Sequence, residues 1–462
     1  MKRIKKLLCA LLASLMLALS LCVNVSADVS FTPDFDVYSE AALLVNLDTD
    51  DVMYSKNADK QLVPASLTKI MTAVLLLEQF QNDISALSTT KVSGGYECFD
   101  ELYLQGASTA DIQVYEEVSY KDLLYALILR SACEAANIIA VNIGGSLEGF
   151  AEMMNIKAAQ LGMDNTHFTN AHGLFWENHY TTANDLAKLT KYAMTLPLFM
   201  EVASTETYKM AATNKHSEPR TISHTVLMMS KTNGGSYYYE YVRGIKTGTL
   251  DEAGRCLITT AQKDGYQYLL ITLGAPQYDE NGNSVMYNFI DHKNIYEWAF
   301  STFEYTTIIG KTEEIAEVPV EYGDGVDYVI VRPKEEFSRI WSKRVSPDSV
   351  HRSVELSENV IAPVKAGDVL GTLELQYGGE TLAVIDLVAT TDVARSRQKE
   401  LTAVAQSFIG SDDFYSAIKY SAAFFLIYTI IIIIIKIAFA RANKKRAKLY
   451  VPPKRDTKRN NW

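Results

Sequence analysis

Three short clusters in this 462-residue sequence combine side chains able to do nucleophilic chemistry. Ser66-Leu67-Thr68-Lys69 follows Pro64 and opens the apolar run Ile70 to Phe80. That pattern predicts a helix with the serine hydroxyl at its N-terminus, beside free backbone N–H groups. Lys69 then falls one turn on, on the same face. A serine hydroxyl is a weak nucleophile until a base takes its proton, and a lysine serves as that base only when burial or nearby cations depress its pKa. Spacing alone is unspecific here, because Ser88/Lys91, Ser396/Lys399 and Ser416/Lys419 share it. Only Ser66 stands at the entry of a long apolar helix.

The second cluster, Lys246-Thr247-Gly248-Thr249, closes the strand-like run Tyr241 to Ile245 and occurs once, where chance gives about 0.1 occurrences. Lysine and hydroxyl side chains on a strand can bind a carboxylate. Gly248 has no Cβ and lets a substrate approach the backbone, while the Thr249 N–H can serve as an oxyanion donor. The bland reading is a surface lysine before a turn. The third cluster, Ser131-Ala132-Cys133-Glu134-Ala135-Ala136-Asn137, lies within an expected helix, Tyr120 to Ile143. On its own it reads as close packing by small residues.

His167, His172 and His179 have no metal-ligand spacing, and loop or packing roles are expected of them; no metal or organic cofactor is called for. The five cysteines, Cys9, Cys22, Cys98, Cys133 and Cys256, are too few and too scattered for a disulfide scaffold.

These clusters need a scaffold, and the composition supplies one. The chain is 48% apolar and 21% charged, with 24 Gly and 11 Pro, which excludes collagen-like, disordered and coiled-coil classes. From about Ser39 to Glu304, strand-like stretches (Ala41 to Asn46, Tyr266 to Gly274) alternate with helical ones (Thr68 to Phe80, Asn184 to Met194), predicting a mixed α and β domain. From about Lys311 to Ser396 short β-rich runs predict a small β-sandwich.

The ends give an address. Four basic residues, the apolar run Leu7 to Val23 and Val25-Ser26-Ala27 read as a signal peptide over 1–27. Tyr420 to Ala440 is apolar except for Lys436 and includes six consecutive isoleucines, Ile430 to Ile435. It is long enough to span a bilayer, and the basic segment after it marks the cytoplasmic side. The expected organisation is 28–306 catalytic, 307–396 β-sandwich, 397–415 stalk, 416–440 transmembrane helix and 441–462 basic tail. Of the 44 basic residues, 15 lie in the signal peptide and beyond Tyr415, with one of the 55 acidic ones, so the net charge of −11 conceals an acidic ectodomain near −25. Such a surface argues against nucleic-acid binding.

Taken together, Ser66, Ser131 and Lys246 resemble the three motifs of the penicillin-binding, serine-active D,D-peptidases. Thr169-Asn170-Ala171-His172-Gly173-Leu174, His179-Tyr180-Thr181-Thr182-Ala183 and Glu252-Ala253-Gly254-Arg255-Cys256-Leu257 look like segments of the low-molecular-mass D-alanyl-D-alanine carboxypeptidases. The resemblance covers roughly residues 35 to 400. It implies an α+β fold, a penicillin-binding/β-lactamase-like domain with an antiparallel sheet flanked by helices. It also implies removal of the terminal D-alanine from peptidoglycan stem peptides through an acyl-serine, with β-lactams as acylating inhibitors. By position, Ser66 is the nucleophile, Lys69 the base and Ser131 the proton relay; Lys246, Thr247, Gly248 and Thr249 contact substrate carboxylate and oxyanion. Cys133 departs from the pattern, standing where the family usually has Asn and would contact substrate; a thiol is the poorer hydrogen-bonding group. Two other readings stay open, a class A β-lactamase-like hydrolase and a catalytically weakened peptidoglycan-binding scaffold.

Overall fold

The computed structural model describes residues 31–448; the expected signal peptide and the end of the basic tail lie outside the described residues. The described chain forms two compact units. The first runs up to Gly310 and includes Glu336–Ser353 and Glu374–Val384, and the second comprises Lys311–Glu335, Val354–Leu373 and the chain from Ile385 on.

The first unit is built on a five-stranded antiparallel sheet. Its strands are β1 (Ala41–Asn46), β2 (Val52–Lys56), β3 (Val242–Leu250), β4 (Gly254–Lys263) and β5 (Tyr266–Ala275), in the order β2-β1-β5-β4-β3. Successive side chains of a strand point to opposite faces, and here both faces are covered. Ala41, Leu43 and Val45 of β1 enter one apolar core, whereas Ala42 and Leu44 enter the other. The continuous apolar run Ala41 to Val45 is therefore a strand buried on both sides.

The larger core is made with α1 (Lys69–Gln79), α2 (Tyr120–Tyr125), α3 (Cys133–Gly144), α4 (Leu147–Gln160) and α5 (Ala183–Thr195). Nine residues of α1, Lys69 to Leu77, are buried, so it is a central helix rather than a half-solvated one. The other core is covered by α6 (Tyr287–Thr302), through Phe289, Ile295, Tyr296 and Ala299. The strand β3 stands at the sheet edge, and its Lys246-Thr247-Gly248-Thr249 segment registers on Ile258, Leu257, Cys256 and Arg255 of β4.

One expectation fails informatively. The helix expected from Tyr120 to Ile143 is broken: α2 passes into a π-helical turn, Ala126–Arg130, and ends at Ser131, whose φ of 63° and ψ of 28° are left-handed. A new helix, α3, starts at Cys133. The apolar periodicity on either side of the break looks the same, so hydrophobic pattern cannot reveal it. π-Turns and left-handed non-glycine residues recur at functional sites.

In the second unit, Ala316–Glu321 pairs antiparallel with Tyr328–Pro333 and parallel with Val360–Ile361. The chain then forms a helix over Arg397–Ile409, where a stalk was expected, and a helix over Asp412–Lys448. Of the described helices only the last is long and apolar enough to cross a membrane, which fits membrane anchoring. At about 1.5 Å per residue it exceeds the roughly 30 Å of a hydrocarbon core, so its basic end reaches past the apolar layer.

Candidate active site

Ser66 lies in a single 3-10 turn, Ala65–Thr68, that leads directly into α1. The Lys69 side chain is entirely buried, and its Nζ meets three partners: Ser66 Oγ at 3.0 Å, the His172 carbonyl at 2.5 Å and Cys133 Sγ at 3.4 Å. Burial pulls the Lys69 pKa below its usual range, against a smaller upward pull from Cys133 and the buried Glu134 carboxyl. A neutral amine has two N–H donors and one lone pair. Directed at the His172 carbonyl and Cys133, its N–H groups leave the lone pair for the Ser66 hydroxyl proton, the arrangement a general base requires.

Ser131 is held at the site by the broken helix. Its Oγ is buried and has no hydrogen-bond partner among the described residues, so the strained turn presents a hydroxyl with its full bonding capacity. Cys133 is the first residue of α3 and donates its backbone N–H to the Ser108 carbonyl at 2.9 Å. Cys133 therefore stands at a helix terminus with the Lys69 amine beside it. The thiol is only 1% exposed and approaches Lys69 from within the protein.

A cleft of about 220 Å³ is lined by Ser66, Ser108, Ser131, Thr225, Thr247, Gly248, Thr249, Arg255 and Asn288, among others. The five predicted residues Ser66, Ser131, Thr247, Gly248 and Thr249 thus all line it. Lys69, Cys133 and Lys246 do not line it and lie buried behind it. The closeness of β3 to the nucleophile turn depends on Gly248. A Cβ there would come within 3.0 Å of the Pro64 carbonyl and 3.2 Å of the Ser66 N. Thr247 Oγ1 donates to Thr225 Oγ1 at 2.6 Å, which ties β3 to the opposite rim.

Lys246 donates to the Thr247 carbonyl at 3.1 Å. Burial first, and then the nearby Lys69, hold its pKa well below the usual lysine value, so two adjacent buried ammonium groups are disfavoured. A bound carboxylate reverses that balance for Lys246. Arg255, opposite Thr249 across the β3–β4 pair, carries a permanent charge. Its Nη2 donates to Ser284 Oγ at 2.8 Å, while its buried Nε has no partner among the described residues. Sequence reasoning noted Arg255 within a family-like segment without a role; the strand register that brings it to Thr249 is a long-range feature.

The nucleophile turn is braced from behind. Thr68 Oγ1 donates to the Ala65 carbonyl at 2.8 Å and lies 2.9 Å from His179 Nε2, and His179 Nδ1 accepts from the Thr169 N–H at 3.1 Å. Burial drives the His179 pKa down to about 3, so the ring is neutral, with Nε2–H pointing to Thr68. Gly173, at φ +83°, packs on the same turn, and a Cβ would sit 2.0 Å from the Ala65 carbonyl. Replacing Gly173 by Ala is expected to cost about 2–4 kcal/mol of stability. Thermal unfolding and β-lactam acylation measured together should both deteriorate, whereas an unchanged melting temperature would contradict this packing.

The family model for D-alanyl-D-alanine carboxypeptidase matches residues 27–277, and that for the penicillin-binding protein 5 C-terminal domain matches residues 303–395. This chain belongs to the D-alanyl-D-alanine carboxypeptidase family. It is 29% identical to D-alanyl-D-alanine carboxypeptidase DacF of Bacillus subtilis over 395 residues, 85% of this chain and 95% of that one. The D-alanyl-D-alanine carboxypeptidase of Streptomyces sp. strain K15 is 32% identical over 227 residues, 48% of this chain and 75% of its own. Among solved structures, penicillin-binding protein 5 of Haemophilus influenzae shares the fold with a TM-score of 0.55 at 24% identity, covering 79% of this chain and all of that one. The Streptomyces K15 DD-transpeptidase has a TM-score of 0.51 at 28% identity, covering 58% of this chain and all of its own.

Proposed function

We propose that this chain is a membrane-anchored serine D-Ala-D-Ala carboxypeptidase that trims the terminal D-alanine from peptidoglycan pentapeptide stems outside a bacterial cell. The observation that carries this reading is the contact of the buried Lys69 Nζ with Ser66 Oγ at 3.0 Å, at a cleft also lined by Thr247, Gly248 and Thr249. The terminal carboxylate docks among Thr247, Thr249 and Arg255, in front of the buried Lys246, and its negative charge favours the protonated form of Lys246. Ser66 Oγ transfers its proton to Lys69 and attacks the carbonyl of the penultimate D-alanine, whose oxygen is held by the N–H groups of Ser66 and Thr249. The proton passes from Lys69 through Ser131 to the departing amine, and D-alanine leaves. Water activated by the same base then hydrolyses the ester and regenerates Ser66. A β-lactam carbonyl acylates Ser66 by the first half of this cycle.

The basic residues after Ala440 support a cytoplasmic tail and an exterior catalytic unit, with the signal peptide cleaved near Ala27. Peptide hydrolysis tests the activity. Full-length protein should release one D-alanine per pentapeptide stem while turning over benzylpenicillin slowly; rapid penicillin turnover with intact peptides would instead fit a β-lactamase.

Cys133 tunes this machinery. An amide at that position offers stronger donors and acceptors to Lys69 and to substrate than the thiol does. Cys133→Asn is therefore expected to acylate several-fold faster in stopped-flow penicillin binding. An unchanged or slower rate would mean that the site is built around the thiol.

A further inference from the structure

Ser131 stands where the mechanism needs it, yet its own side chain does not hold it there. Its left-handed φ of 63° and ψ of 28° are rarely occupied by residues other than glycine, and such a conformation persists only where the surroundings over-determine it. Its Oγ has no hydrogen-bond partner among the described residues. The restraint therefore comes from the residues on either side of it, and these share one partner, the segment 108–112.

Arg130, immediately before Ser131, donates from Nε to the Thr109 carbonyl at 3.1 Å. Cys133, two residues after it, donates its N–H to the Ser108 carbonyl at 2.9 Å. Glu134 reaches the same segment with its side chain. A single oxygen, Oε1, accepts from Thr109 Oγ1 and from the Ala110 N–H, each at 2.7 Å, and from the Ile112 N–H at a longer 3.4 Å.

The segment is shaped around that oxygen. Asp111 is left-handed, with φ of 60°, and its N–H donates to Thr109 Oγ1 at 2.8 Å. A left-handed residue lets the N–H groups on either side of it converge on one anionic acceptor. Glu134 is only 3% exposed, a burial that a carboxyl group tolerates when it is partnered in this way. Ser108, the first residue of the segment, lines the Ser66 cleft together with Ser131. The carboxyl group thus joins the stretch that carries Ser108 to the stretch that carries Ser131.

We propose that Glu134 is a positioning residue for the leaving-group step: by anchoring the segment 108–112 it holds Ser131 in the turn from which its hydroxyl passes a proton to the departing nitrogen. This assignment rests on the carboxypeptidase reading. In that reading the C–N bond of the tetrahedral adduct breaks, its electron pair goes to nitrogen, and the proton held by Lys69 arrives there through Ser131. An amine cannot depart as its anion, so amide cleavage depends on the relay, whereas a thiolate departs without a proton. A misplaced relay hydroxyl penalises an amide far more than a thioester, a distinction that general loosening of the cleft does not make.

The test compares kcat/KM for diacetyl-lysyl-D-Ala-D-Ala with that for its thioester analogue, in which sulfur replaces the scissile nitrogen. In full-length protein, Glu134→Ala should lower kcat/KM for the peptide at least about tenfold more than for the thioester. Glu134→Gln keeps an oxygen that accepts the same three hydrogen bonds, and its peptide-to-thioester ratio should stay within about twofold of wild type. The charge it removes acts on Lys69, which serves both substrates, and so cancels in the ratio. Thr109 is exposed, so Thr109→Val should fold even if Glu134→Ala does not, and should lower the ratio about threefold. Equal slowing of the two substrates, or a Glu134→Gln ratio as low as that of Glu134→Ala, would overturn the proposal. So would an unchanged ratio in Glu134→Ala or, where that protein does not fold, in Thr109→Val. Wild-type protein that releases no D-alanine would count against the carboxypeptidase reading alone. Glu134 would then be read from benzylpenicillin, whose lactam nitrogen needs the same proton: Glu134→Ala should acylate at least about tenfold more slowly than Glu134→Gln, and equal rates would overturn the assignment.

Discussion

Ser66→Ala is expected to abolish covalent penicillin binding and to lower kcat/KM for D-alanine release by at least about 10^4-fold, because no other group at the cleft combines a nucleophilic oxygen with the Lys69 amine. Among the described residues the Ser66 hydroxyl makes no hydrogen bond other than the one with Lys69, so the folded state should be preserved. A melting temperature within about 2 °C of wild type, with loss of labelling by fluorescent penicillin, would separate loss of chemistry from loss of fold. Residual labelling of Ser66→Ala at the wild-type rate would point to another nucleophile. Cys133 is the nearest candidate by chemistry, but its Sγ lies behind the cleft wall rather than on it.

The second large effect belongs to Lys69. Lys69→Met keeps most of the side-chain volume and removes the amine, and acylation should fall by at least about 10^3-fold. Lys69→Arg should fare no better, since a guanidinium keeps the charge but cannot act as a base near neutral pH. Wild-type acylation should rise with pH as Lys69 loses its proton, with an inflection below the ordinary lysine value of 10.5 because burial depresses the group. The same shift has a stability consequence of known sign. Between the folded pKa and 10.5 the unfolded chain binds the proton and the folded chain does not, so wild-type stability increases with pH across that window. Lys69→Met removes this contribution and should be at least as stable as wild type at neutral pH, while inactive. A pH-independent acylation rate in wild type would contradict Lys69 as the base.

The chemistry was more legible in the sequence than its support. Ser66, Lys69 and Lys246 could be read because each sits on a regular element, and i,i+3 spacing or strand alternation then dictates direction. Ser131 resisted such reading, since its place at the cleft depends on a π-turn and on its own left-handed conformation, which break an apparently continuous helix. The burial of Lys69, Lys246 and Cys133 behind the cleft wall is likewise a tertiary fact. So are the brace from His179 to Thr68 and the carbonyl of His172 on Lys69, which join residues 111 and 103 positions apart. Arg255 reaches the cleft through strand register, and Glu101, His172 and Asn137 meet only because three separate segments converge. In the β-rich region, short alternating runs foretold the strands. The segments Glu336–Ser353 and Glu374–Val384 nevertheless cluster with the first unit, a crossing that local pattern does not encode.

The most direct measurement is the site of acylation. Full-length protein treated with benzylpenicillin, digested after Lys and Arg and examined by peptide mass spectrometry should carry a single penicilloyl addition on the peptide Gln61–Lys69, at Ser66. Incubation with a depsipeptide ending in D-Ala-D-lactate and rapid acid quenching should place the substrate acyl group on the same residue. Addition at Cys133, or none anywhere while D-alanine is still released, would contradict an acyl-Ser66 mechanism.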